Sequence, residues 1–101
     1  MIDAAAARSA SAHLLGHWSA GTRIAQLPEA VRPQTRSDGY AIQHLVEAAS
    51  ARPLFGWKIA ATSTAGQRHI NVDGPLAGRI LAEQVVAPGT AVSLAGNAMR
   101  V

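Results

Sequence analysis

Cysteine is absent from this 101-residue chain, so no disulfide can staple the fold and no thiolate nucleophile is available. Aromatic residues are almost as scarce. Two tryptophans, one tyrosine and one phenylalanine do not make the stacking platform that single-stranded nucleic acids require. The positive charge is not clustered either: eight arginines and one lysine against six acids give a net charge of +3, but the arginines stand singly from Arg8 to Arg100. No basic run or RNA-binding signature exists, and no nucleic-acid partner is expected. No apolar stretch approaches the roughly 20 residues needed to cross a bilayer. The opening Met1-Ile2-Asp3 also lacks the basic start of a secretory signal. No membrane partner is expected, and the cytoplasm is the expected location.

Apolar residues make up 49% of the chain, but 22 of them are alanines, so few large side chains are available to build a core. The chain reads as one small domain whose stability is marginal unless something else covers it. It divides by pattern into a helical part over 1–52 and a strand-rich part over 54–101.

Asp3 is placed to N-cap a first helix running to about Ser19, with Ala7, Ala10, Leu14, Leu15 and Trp18 forming its apolar stripe and Gly21 ending it. Pro28 and Pro33 mark an irregular connection, tacked down by Ile24, Leu27 and Val31. Thr35-Arg36-Ser37-Asp38 matches a capping box, with Asp in place of the usual Glu. The helix it opens carries Ile42, Leu45, Val46 and Ala49 on one face and is expected to stop at Pro53. Leu54 to Ala61 alternates as a strand with Phe55, Trp57, Ile59 and Ala61 towards the core. A short helix follows from Thr62 or Ser63 towards Ile70, then a turn over Asn71 to Pro75. Short strands are expected around Gly78 to Ala82, Gln84 to Ala87 and Thr90 to Leu94, closed by Gly96-Asn97. Helices first and strands afterwards make the fold class α+β.

Lys58 is the one lysine in the chain, set mid-strand between the small residues Gly56 and Ala60. An ammonium exchanges its proton where a guanidinium practically cannot, although a solvated lysine on the outer face of a sheet fits the same position. Thr62 and Ser63 follow that strand and can seat an anion or simply cap the next helix. Asp73 is either a general base or the aspartate of an Asp-Gly-Pro turn. His13 and His17 stand four apart on the first helix, a spacing that suits a metal, but no third ligand accompanies them and a plain helix surface explains the pair. His44 and His69 have no recognisable partner. The six carboxylates are all separated, and the sequence contains no metal cage.

Taken together, Asp38-Gly39-Tyr40-Ala41-Ile42-Gln43, then Gly56-Trp57-Lys58-Ile59-Ala60-Ala61-Thr62-Ser63, then Val72-Asp73-Gly74-Pro75-Leu76-Ala77-Gly78 resemble, in order and spacing, the N-terminal part of the 2-keto-4-pentenoate hydratases of the fumarylacetoacetate hydrolase family. The resemblance implies the N-terminal portion of a fumarylacetoacetate-hydrolase-like fold. It also implies a hydro-lyase that adds water to 2-hydroxypenta-2,4-dienoate, giving 4-hydroxy-2-oxopentanoate in aromatic catabolism. Lys58 and Asp73 would then carry the proton traffic, Thr62 and Ser63 would seat the substrate carboxylate, and Ile80 would line the apolar end of the pocket. A magnesium or manganese ion would polarise the 2-oxo group.

In that family a metal-binding Glu-x-Glu pair follows the segment corresponding to Ala95 to Val101, and the metal-binding catalytic domain lies beyond it. The chain is therefore expected to be an N-terminal domain or fragment, a truncated product or half of a split enzyme. It is expected to bind neither magnesium nor manganese by itself, and to act as a homo-oligomer or with a complementing C-terminal domain. The expected small-molecule partner is a 2-hydroxy-dienoate or 2-oxo acid, and the other readings are a non-catalytic binding or interaction module and a 2-oxo-3-enedioate decarboxylase of the same family.

Overall fold

The computed structural model describes residues 1–95. These residues form a small α+β protein with three α-helices and one two-stranded antiparallel sheet, and they divide into two compact units, Met1–Val46 with the described residues from Val86 onward, and Glu47–Val85.

The first unit begins with α1, Ala4–Ala20. The Asp3 carboxylate accepts the Ala6 N–H at 2.8 Å, and Gly21 closes the helix at φ +67°, a left-handed conformation that glycine adopts without steric cost. The buried positions are Ala7, Ala10 and Ser11. Of the expected stripe, Leu14 and Trp18 are exposed, so α1 packs through its small residues. The core of this unit is Ala7, Ala10 and Ile42, with Ile2, Leu27, Val31 and Leu45 packed against it. A 3-10 turn over Glu29–Val31 lies in the proline-bounded connection, where the Arg32 guanidinium donates twice to the Leu27 carbonyl, at 2.9 and 3.2 Å.

Helix α2 spans Arg36–Ala48 and starts with the expected capping box. The Thr35 hydroxyl accepts the Asp38 N–H and the Asp38 carboxylate accepts the Thr35 N–H, each at 3.1 Å. The helix ends before Pro53 can act. The Ser50 N–H reaches the Glu47 carbonyl and its hydroxyl takes the Arg52 N–H, a local alternative to helical bonding that serine offers readily.

The second unit contains β1, Gly56–Ala60, and β2, Leu76–Ile80, with α3, Thr64–His69, between them. The strands pair with Gly56 opposite Ile80, Lys58 opposite Gly78 and Ala60 opposite Leu76. The expected core face of β1 is not buried: Phe55, Trp57 and Ile59 are 63%, 49% and 48% exposed. What crosses that face is Arg79, whose guanidinium lies 4.7 Å from the centre of the Trp57 ring, opposite it in the register.

The strand candidates beyond β2 also need correction. Ala82–Gln84 is a 3-10 turn, with the Gln84 side-chain oxygen accepting the Leu81 N–H at 3.0 Å. Residues 84–87 and 90–94 form no strand. Strand propensity is largely a matter of having a partner to pack against, and these valines have none in the sheet: Val85, Val86, Val92 and Leu94 are exposed, while Leu81 is buried. The expected closure at Gly96-Asn97 lies outside the described residues.

Candidate functional site

All five residues assigned to the substrate, Lys58, Thr62, Ser63, Asp73 and Ile80, fall in the second unit. Strand alternation places Lys58 and Ile80 on one face of the sheet, with Gly56 and Gly78 directly opposite Ile80 and Lys58. A side chain added at Gly56 would meet nothing within 4 Å, so the space beside Lys58 is open. Lys58 itself is exposed, and its ammonium donates to the Ile59 carbonyl at 2.9 Å.

The chain leaves β1 through Ala61, which has φ +54°. A residue with a Cβ is uncommon there and costs of order 1 kcal/mol or more. The conformation is held from α3, where the Gln67 side-chain amide donates to the Ala61 carbonyl at 3.1 Å. Its consequence is a sharp turn that starts α3 at once. The Ser63 hydroxyl caps that helix by accepting the Gly66 N–H at 3.0 Å, and Thr62 beside it is exposed.

Asp73 is exposed in the turn that leads into β2, next to the buried Gly74. Since Ala60 pairs with Leu76, Thr62, Ser63 and Asp73 all flank the same end of the sheet. Ile80 sits at the other end, half-buried. The strands thus bring Lys58 and Ile80 onto one face and gather the two hydroxyls and the carboxylate at one edge.

Arg79 has a role that the sequence did not announce, and Asp38 has bonds beyond its expected cap. Arg79 ion-pairs with Glu47 while stacking on Trp57, and only 15% of its side chain is exposed. Asp38 is buried and accepts N–H groups from Ile2, Gln34 and Thr35 at 2.8, 3.1 and 3.1 Å. The Ile2 bond is the largest of the causes that hold its pKa below the ordinary aspartate value, against an opposing push from burial. At Glu83 the Ser50 hydroxyl, 2.8 and 2.7 Å from the two carboxylate oxygens, lowers the pKa likewise. The sequence signal for Arg79 was its place one position before the end of β2, opposite a tryptophan, which becomes visible only once the strand register is known.

Among the described residues no three His, Asp, Glu or Cys side chains converge. No helix among them is long and apolar enough to cross a membrane. Compared with known proteins, the chain matches no family, no curated sequence and no solved structure.

Proposed function

We propose that this chain carries the substrate-side residues of a hydro-lyase acting on 2-hydroxypenta-2,4-dienoate. The observation that supports this reading is the pairing of β1 with β2. It sets two of the three motifs that carry the resemblance side by side, with Lys58 opposite Gly78 and open space at Gly56. The reaction needs one proton to leave the enol oxygen and one to reach C5, giving a 2-oxo-3-enoate, after which water adds across C3 and C4, losing one proton as its hydroxyl bonds to C4 while C3 gains one. Lys58 and Asp73 are the groups assigned to that traffic, because an amine and a carboxylate both exchange protons. Thr62 and Ser63 donate to the substrate carboxylate; Ser63 accepts a bond as a helix cap but keeps its own hydroxyl proton to give. Ile80 contacts the apolar end of the chain.

The resemblance assigns the metal ligands of such an enzyme to no residue named above, so the reading here is one of substrate binding. A non-catalytic binding module for 2-oxo acids is the second reading, favoured by the Lys58 ammonium already donating to the Ile59 carbonyl. The test is an NMR titration with 2-oxopentanoate, a saturated 2-oxo acid with no carbon–carbon double bond to hydrate. Shifts concentrated at Lys58, Thr62, Ser63, Asp73 and Ile80 are expected. Shifts confined to residues of the first unit, or none, overturn the assignment.

A further inference from the structure

The second candidate site lies in the first unit, on α1. Ser9, Ala12, His13, Gly16, His17 and Thr22 line a shallow groove of about 350 Å³. His13 and His17 are four residues apart on one helix, so their side chains emerge from the same face about 5–6 Å apart at Cβ. This is the spacing with which a helix offers two imidazoles to a single ion. Gly16 adds no side chain between them, and a Cβ there would meet nothing within 4 Å.

The observation that the sequence could not supply is at His17. Its Nδ1 lies 2.8 Å from the Thr22 hydroxyl, and Thr22 is held in place because its own N–H bonds back to the His17 carbonyl at 3.0 Å. The left-handed Gly21 turns the chain so that Thr22 returns alongside the last turn of α1. When Nε2 gives its lone pair to a metal, Nδ1 must carry the proton, and the Thr22 oxygen is positioned to accept it. Ligating histidines are characteristically oriented through their other ring nitrogen in this way.

We propose that His13 and His17 form a two-histidine site for a borderline divalent transition metal, zinc, nickel or copper, with Thr22 orienting His17 and solvent completing the coordination. Imidazole nitrogens suit these ions, whereas magnesium and manganese favour oxygen ligands. The site is therefore separate from any metal requirement of the proposed hydration.

The test is a zinc titration of the full chain, followed through the ring resonances of its four histidines and by calorimetry. Saturable binding at one ion per chain is expected, with the His13 and His17 rings shifting and those of His44 and His69 unmoved. His17→Ala and His13→Ala each abolish the selective shift; both introduce the residue with the best helix propensity, so α1 is kept. Thr22→Val leaves both ligands but weakens zinc binding about 10-fold, the usual effect of losing an orienting partner. Magnesium gives no response at these rings. Equal shifts at all four histidines, zinc affinity unchanged in His17→Ala, or no binding under an excess of zinc each overturn the proposal.

Discussion

The carboxylate of Asp38 accepts the backbone N–H of Ile2 at 2.8 Å, joining two residues 36 positions apart in the chain. The same group closes the capping box of α2 through Thr35 and takes the Gln34 N–H as well. One buried side chain therefore satisfies N–H donors on the N-terminal segment, on the proline-bounded connection and at the start of a helix. Such groups are expensive to leave unpaired.

Stability should fall in acid for this reason. The folded-state pKa values of Asp38 and Glu83 are both lowered, so the folded protein binds fewer protons than the unfolded chain across the carboxylate range. Their contribution is complete above the unfolded values, near 4, and is lost as pH drops through the folded ones. Thermal unfolding followed by circular dichroism from pH 7 to pH 3 should show a falling midpoint. Asp38→Asn should start from a lower midpoint at pH 7 and show a shallower decline. A parallel decline in the variant would mean that other groups carry the acid sensitivity.

At Ala61 the left-handed backbone gives a prediction with opposite signs for two substitutions. Glycine adopts φ +54° without the Cβ clash worth about 1–2 kcal/mol, but it loses about 0.5–1 kcal/mol to the freedom of the unfolded chain. Ala61→Gly should therefore be neutral or stabilising by up to about 1.5 kcal/mol. Ala61→Val, β-branched in the same conformation, should destabilise by more than about 1 kcal/mol. Urea unfolding of the two variants beside the parent chain measures both. Destabilisation by glycine would show that the turn is not strained.

Arg79 should resist replacement by lysine. Its planar guanidinium stacks on Trp57 and pairs with Glu47 at once, which a compact ammonium reproduces poorly. Arg79→Lys should cost about 1 kcal/mol, from the lost stacking and a weakened pair, and should alter Trp57 fluorescence. Trp18 also emits, so the comparison belongs in a Trp18→Phe background. An unchanged Trp57 spectrum there would contradict the stacking.

Local chemistry was legible in the sequence, and pairing at a distance was not. Asp3, Thr35, Asp38 and Ser63 act as the caps their residue types announce, because capping is decided within three residues of chain. The α+β class and the strand carrying Lys58 followed from period alone. The burial of that strand did not. Alternation identifies two faces but not whether anything covers them, and Phe55, Trp57 and Ile59 are exposed where a core was expected. The later strand candidates failed for a related reason, since valines at 85, 86 and 92 express a preference that only a neighbouring strand can realise. Asp38 could be read as a cap, but its reach to Ile2 depends on tertiary packing that no spacing encodes. At the candidate site, Lys58, Thr62 and Ser63 were grouped by being consecutive. The placement of Asp73 at the same end of the sheet needed the register of β1 against β2.

The proposed seat of a 2-oxo acid on the Lys58 face of this sheet is decided by calorimetric titration of 2-oxopentanoate into the chain and its Lys58→Met variant, each verified as folded from its amide spectrum. A charge-assisted hydrogen bond from the ammonium contributes about 1.5–3 kcal/mol, so saturable binding by the parent chain and a loss of about 10-fold or more in the variant are expected. Equal affinity in the two proteins, or no binding by the parent, would contradict it.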